Sequence, residues 1–146
     1  MIDIRTSRPD ECARAIEIWR RAVETTHHFL DEEDRKAIDT MVCDFLPRVS
    51  LWFAVDANDY PLGFMSIDKG HMDALFVDPV GRGTGIGGAL VRHGLSLHPN
   101  MTTDVNEQNL QALGFYERMG FRRVGRSSLD GQGRPYPLIH LKHTAV

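Results

Sequence analysis

Between Val77 and Leu90 the chain reads VDPVGRGTGIGGAL, and four of the six residues from Gly83 to Gly88 are glycine. An apolar, strand-like run leads into this stretch and an apolar, helix-like run leaves it. Glycines in that setting expose main-chain N–H groups with no Cβ in front of them. Combined with the positive end of a helix dipole, they hold an anion, most often a phosphate. Two phosphate motifs compete for the loop. A P-loop needs GxxxxGK followed by Ser or Thr, and no such lysine follows here. The dinucleotide pattern GxGxxG is met by Gly83, Gly85 and Gly88, and Asp104 falls near the end of the next strand, where a ribose-binding acid belongs. Its context is wrong, however. The motif follows a hairpin rather than the first strand of a βαβ unit. The chain after Asp104 has room for one helix and two strands, too little for a second doubly wound half.

Other side chains capable of chemistry are scattered. His71, Asp73, Leu75 and Val77 share one face of a strand by period two, so a histidine and a carboxylate stand side by side. Histidine is the side chain that titrates near neutrality. His27 and His28 form a pair, but no HExxH or Cys/His ligand spacing accompanies them, so no metal is expected. His140 and His143 lie three apart on a strand and point to opposite faces. Cys12 and Cys43 sit on or beside apolar helix faces and read as structural thiols. Arg118, Arg122, Arg123 and Arg126 make a small basic cluster, either a phosphate contact or a solvated face.

These residues need a scaffold, and hydrophobic periodicity predicts one. Ile2 to Arg5 alternate as a short strand. Asp10 starts a helix with an apolar stripe of Cys12, Ile16, Trp19 and Val23, and Thr25 to His28 break it. Asp31-Glu32-Glu33 open a second helix with acids at its positive end, with Ile38, Met41, Val42 and Phe45 as its apolar face, and Pro47 closes it. Leu51–Val55 (LWFAV) is uniformly apolar, a strand buried on both faces. A turn at Ala57-Asn58-Asp59 returns the chain as a strand over Leu62–Ile67. Lys69-Gly70 turns again, and Met72–Val77 is the fourth strand. A third helix carries Ile86, Leu90, Val91 and Leu95 and stops near His98-Pro99. Met101–Val105 is a strand, and Asn109–Met119 is a helix ended by Gly120. Phe121–Arg126 and Tyr136–Lys142 are strands flanking a turn-rich loop, Asp130–Pro137. The order is β-α-α-β-β-β-α-β-α-β-β. That is an α/β, three-layer α/β/α single domain over residues 1–146 with a mixed, mostly antiparallel seven-stranded sheet.

Bulk properties narrow the classes. With 146 residues, 42% hydrophobic and 25% charged, the chain has the size and composition of one globular domain. A net charge of −3 gives no footprint for nucleic acid. No apolar run approaches a membrane span, and the polar, acidic start is not a signal peptide. With two cysteines and no CxxC, a reduced, cytoplasmic protein is expected.

The pattern Arg82-x-x-Gly85-x-Gly87, preceded by Leu75-Phe76-Val77-Asp78-Pro79, resembles the coenzyme A loop of the GNAT superfamily of N-acetyltransferases. Downstream, Asn109, Ala112, Phe115, Tyr116, Gly120 and Phe121 stand as N-x-x-A-x-x-F-Y-x-x-x-G-F, similar to the second signature of that family. The element order agrees with its fold along essentially the whole chain, and the small bacterial members are the nearest in kind. The resemblance implies acetyl-CoA as cosubstrate and a splay between the fourth and fifth strands. It implies that Leu75, Phe76 and Val77 bond the pantetheine arm, with the N–H of Phe76 or Val77 near the acetyl carbonyl. It further implies that Arg82, Gly83, Thr84, Gly85, Ile86, Gly87 and Gly88 hold the pyrophosphate, and that Asn109 belongs to the coenzyme side. Tyr116 takes the general-acid position and Asp73 the base position, with His71 on the same face as the competing base. His27, His28 and Phe29 line the acceptor pocket, with Trp19 and Trp52 as further apolar candidates. The expected activity is direct transfer of an acetyl group to a primary amine, small molecule or peptide, by a monomer or homodimer. A coenzyme A sensor without turnover, and more remotely a dinucleotide oxidoreductase, are the competing functions.

Overall fold

The computed structural model describes residues 2–26 and 29–144. In chain order the strands and helices are β1 (Asp3–Thr6), α1 (Cys12–Thr26), α2 (Glu32–Phe45), β2 (Trp52–Val55), β3 (Pro61–Asp68), β4 (His71–Val77), α3 (Ile86–Leu97), β5 (Thr102–Asn106), α4 (Leu110–Arg118), β6 (Phe121–Ser127) and β7 (Leu138–His143). Short 3-10 turns at Pro9–Glu11, Leu46–Arg48 and Pro79–Gly81 supplement them. The seven strands form one sheet in the order β1-β2-β3-β4-β5-β7-β6. β1–β2, β2–β3, β5–β7 and β6–β7 pair antiparallel, while β4–β5 is parallel. A mixed α/β fold is what the periodicities predicted.

The chain divides into two compact units. The first comprises the chain up to Ser66 together with Ala74–Leu90. Its core gathers Ala15, Ile18, Trp19 and Val23 from α1 with Leu46, Leu51, Phe53, Val55 and Phe64. The buried stripe of α1 agrees in part with the predicted one: Trp19 and Val23 are buried as expected, Ala15, Ile18 and Ala22 join them, and Cys12 and Ile16 are half-buried. Helical geometry makes i, i+3, i+4 and i+7 neighbours, and the small alanines let the helix approach closely. Trp19, a candidate pocket wall, belongs to this core. Asp31 caps α2 by accepting from Asp34 N–H at 2.8 Å. The predicted apolar face of α2 is only partly used. Ile38 and Val42 pack on the core, while Met41 and Phe45 are exposed at 37% and 39%. In β2, Phe53, Ala54 and Val55 are all buried, as a strand covered on both faces requires.

The second unit comprises Ile67–Asp73 and the chain from Val91 onward. β3 and β4 are joined by the two-residue turn Lys69-Gly70, both with positive φ (50° and 81°), the combination a tight hairpin demands. The β4–β5 ladder is short, His71↔Thr102 and Met72↔Thr103. β5 and β7 alternate strictly, whereas β6 buries only its first residue, Phe121. Thr103, Val105, Ile139, Leu141 and Phe121 are buried with Met72, Met101, Leu113 and Tyr116. The residues between them in β5 and β7 point to the polar side. β6 carries an irregularity between Arg123 and Gly125, which leaves Val124 63% exposed. The loop after β6 is tied by Asp130, whose Oδ1 accepts from the N–H groups of Gln132 and Arg134 at 2.9 and 2.8 Å.

Candidate active site

The glycine loop begins on a buried carboxylate. Asp78 closes β4 by donating its N–H to Leu62 O at 2.8 Å. Its carboxylate, 4% exposed, accepts from Val80 N–H at 3.0 Å and pairs with Arg14 and Arg21 of α1, each at 3.1 Å. Burial alone pushes this acid up, but the Val80 N–H and the two guanidiniums outweigh it and hold Asp78 below the ordinary carboxylate range. Arg14 is itself fixed, donating to Pro61 O at 2.7 Å and lying 4.4 Å over the Tyr60 ring. The start of the loop is therefore clamped to α1. Beyond it, Gly83 and Gly85 have φ of 77° and 83°, a region that side chains resist. A Cβ at either position meets nothing within 4 Å. The two glycines answer a backbone requirement and leave space in front of the main chain. Ile86, Gly87 and Gly88 then occupy the first turn of α3, where N–H groups lack an intrahelical acceptor. Thr84 donates its hydroxyl to Gly81 O, and Arg82 donates to Thr25 Oγ1 at 3.0 Å. Open space, positive φ and a helix start fit a diphosphate.

Tyr116 lies on α4 in the second unit. Its ring is 7% exposed and stacks edge-on against Phe115 and Phe121 at 5.1 and 5.4 Å. Among the described residues no group shares a hydrogen bond with its hydroxyl. A buried tyrosine normally finds one. Burial pushes the phenol above its ordinary value, so it is fully protonated at neutral pH. Asn109 caps α4, its Oδ1 accepting from Ala112 N–H at 3.1 Å, so this side chain is committed locally.

Also in the second unit, His71 is the centre of a polar cluster. Its Nδ1 lies 2.7 Å from Thr102 Oγ1, and its Nε2 lies 3.4 Å from Asp104 Oδ2 and 4.0 Å from Asp73 Oδ1. Burial pushes the Asp73 carboxyl up, His71 pulls it back, and Asp68 and Asp104 add to the rise. Asp104 also accepts from His140 Nδ1 at 2.6 Å, and His140 Nε2 meets Ser127 Oγ at 2.6 Å. Among the described residues no three acidic, histidine or cysteine side chains are arranged to hold a metal ion.

The remaining expectations distribute unevenly. Leu75, Phe76 and Val77 are half-buried in β4, with the Phe76 ring 5.7 Å from Phe64. Phe29 is half-buried, while His27 and His28 lie outside the described residues. Arg123 and Arg126 pair with Glu117 and Glu107, so half of the arginine cluster is internally neutralised. Cys12 and Cys43 are half-buried rather than buried; burial and then Cys43 push the Cys12 thiol up. His143 bonds Pro99 O and stacks on Phe121, opposite in face to His140, as the strand period required. Sequence reasoning missed the clamp at Asp78 and the bridge at Asp104.

With the order of elements, the sheet topology and the glycine turn in place, the class follows. Residues 12–133 match the acetyltransferase (GNAT) domain family, and the chain belongs to that family. It is an N-acetyltransferase of a family that uses acetyl-CoA as cosubstrate, which displaces the dinucleotide reading. Within the family the chain is similar to the peptidyl-lysine N-acetyltransferase YjaB of Salmonella typhimurium, 54% identical over 97% of both chains. It is 50% identical to YjaB of Escherichia coli over 100% of this chain and 99% of that one. The solution structure of apo-form YjaB from Escherichia coli superposes with a TM-score of 0.95, at 49% identity, covering 100% and 99% of the two chains. The PaiA N-acetyltransferase of Thermoplasma acidophilum in complex with coenzyme A shares the fold, with a TM-score of 0.78 at 17% identity over 99% of each chain. No helix among the described residues is long and apolar enough to cross a membrane.

Proposed function

We propose that this chain transfers an acetyl group from acetyl-CoA to lysine side chains of proteins or peptides, directly, within a ternary complex. Two relatives named for peptidyl-lysine acetylation, at 50% identity or more over nearly the full length, support the acceptor. Bound acetyl-CoA supplies a thioester whose carbonyl carbon the amine attacks and whose thiolate leaves. The main chain from Arg82 to Gly88 binds the pyrophosphate. Leu75 to Val77 hold the pantetheine arm, and the Phe76 or Val77 N–H polarises the carbonyl. Asn109 braces the coenzyme side by fixing the start of α4, and Phe29, with His27 and His28, faces the acceptor. A lysine amine is protonated at neutral pH, and neutralising it costs about 4.6 kcal/mol from a pKa of about 10.4. His71, with Asp73 beside it, takes that proton, directly or through water.

Tyr116 returns a proton to the departing thiolate. The observation that carries this role is a phenol almost wholly buried, fully protonated and without a partner among the described residues. Burial weakens the phenol as an acid, but it raises the proton affinity of a neighbouring thiolate for the same reason, so the transfer keeps its direction. The test is acetylation of a lysine peptide by the parent and by Tyr116→Phe. Loss of about 100-fold in kcat, with acetyl-CoA affinity retained, supports the assignment. Full kcat in the variant refutes it, and tight acetyl-CoA binding without transfer to any amine refutes turnover altogether.

A further inference from the structure

The cluster around His71 contains more than a base. Asp104 stands between two imidazoles, one oxygen 2.6 Å from His140 Nδ1 and the other 3.4 Å from His71 Nε2. His140 lies directly opposite Asp104 in the β5–β7 ladder, and its Nε2 is engaged by Ser127. We propose that Asp104 and His140 are positioning residues for the transfer reaction: His140 fixes the Asp104 carboxylate, and Asp104 balances the positive charge on His71 when that ring takes the acceptor's proton.

The geometry fits the cationic ring. Protonated His71 has two N–H donors. Nδ1–H finds Thr102 Oγ1 at 2.7 Å, and Nε2–H faces Asp104, with Asp73 behind it. Both donors thus have acceptors in place, and the nearest charges are negative. The step itself is a proton transfer. The N–H bond of the acceptor ammonium breaks, an N–H bond forms on His71, and the lone pair left on the amine becomes the nucleophile. The proton then leaves to solvent, which reaches these side chains: His71, Asp104 and His140 are each about one-third exposed. Asp104 without His140 would be a surface carboxylate free to rotate. With one oxygen tied, the other is held toward His71. The charged groups that reach His71 are Asp73 on its own strand and Asp104 on β5; His140 sits behind Asp104, Asp68 at the end of β3 acts on Asp73, and Lys142 on β7 and Arg122 on β6 follow in the same ladder register beyond Thr102. Lys142 and Arg122 oppose the cation, so Asp104 carries the compensation together with Asp73.

This inference rests on the proposed role of His71, and the experiment separates the two. The pH profile of kcat/KM is measured with acetyl-CoA and a lysine peptide for the parent, His71→Ala, Asp104→Asn, Asp104→Glu, His140→Asn and the double variant His71→Ala/Asp104→Asn. Acetyl-CoA affinity of each purified protein reports on folding. Asp104→Asn is expected to move the acidic limb to lower pH by about half a unit to one unit and to lower the neutral rate about tenfold. Asp104→Glu keeps the charge and restores the limb. His140→Asn shifts it in the same direction by less. The double variant is no slower than His71→Ala alone, because the carboxylate acts through the imidazole. If His71→Ala leaves the limb and the rate intact, the base assignment itself is wrong. If His71→Ala removes the limb while Asp104→Asn leaves it in place, only the positioning role is overturned. A uniform loss of rate at all pH values in Asp104→Asn also overturns it, since that is the signature of a structural side chain.

Discussion

Replacing Asp78 with alanine isolates what the clamp beneath the glycine loop contributes. Three interactions are lost. The acceptor for Val80 N–H goes, a cap-type bond worth about 1 kcal/mol. Arg14, only 14% exposed, loses the Asp78 carboxylate while keeping Glu17 and Pro61 O, and a charge-assisted contact in that setting is worth about 1–3 kcal/mol. Arg21 is 46% exposed and rehydrates, so its share is about 0–1 kcal/mol. The sum is about 2–5 kcal/mol. With an unfolding entropy of about 2.1 cal/mol/K per residue, a chain of this size loses about 7–16 °C of Tm. Thermal unfolding followed by circular dichroism at pH 7 measures it, with Asp78→Asn, which keeps an acceptor for Val80, falling in between. The pH dependence follows from the sign of the shift. The folded value is depressed, so the charge contribution is complete above the ordinary carboxylate range and disappears as pH falls through the folded value. Parent and Asp78→Asn should therefore converge in strongly acidic buffer. A Tm for Asp78→Ala within about 2 °C of the parent at pH 7 would mean that the clamp stores no stability.

Gly85→Ala places a methyl where φ is 83°, at a cost of about 1–2 kcal/mol, into space that is open in the free protein. Acetyl-CoA affinity should fall by more than stability does, as read by titration calorimetry beside thermal unfolding. Asp73 is held above its ordinary value, so its contribution to stability is complete below the unfolded value and is lost as pH rises through the folded one. Asp73→Asn should then raise Tm slightly at pH 7 while lowering kcat. Glu11, held down by the Arg5 guanidinium against the opposing effect of burial, behaves oppositely. Glu11→Gln should destabilise at pH 7, and the difference should shrink as pH falls through the depressed folded value, as chemical denaturation across an acid series will show.

The elements were legible because each one announced itself locally. Asp31 capped the helix it preceded, LWFAV was a strand with no polar face, and Lys69-Gly70 fitted only a tight turn. The glycine loop was legible for a related reason, since its function lies in φ angles and missing side chains. The apolar face of α2 was overdrawn because periodicity reports which residues are apolar and not how much surface waits opposite them; Met41 and Phe45 stay exposed. Asp78 looked like the turn residue before a proline, and nothing nearby in the sequence joins it to Arg14 and Arg21. Asp104 and His140 are 36 residues apart, and only the β5–β7 register makes them opposite. Cross-strand pairs of this kind are fixed by strand order and register, which the local pattern does not carry.

Asp130-Gly131 has a consequence for how the protein ages. Among aspartyl dipeptides, one followed by glycine is the most prone to cyclise: the next amide nitrogen attacks the side-chain carboxyl carbon with loss of water, and hydrolysis of the ring gives an isoaspartyl linkage. In this loop Oδ1 of Asp130 is held by the N–H groups of Gln132 and Arg134, while its main chain donates to Arg134 O and accepts from Gly133. Cyclisation requires the carboxyl group to turn away from both donors. The hydrogen bonds that shape the loop thus also slow its chemical decay, and heating that loosens the loop should expose Asp130 to isomerisation before the rest of the chain unfolds.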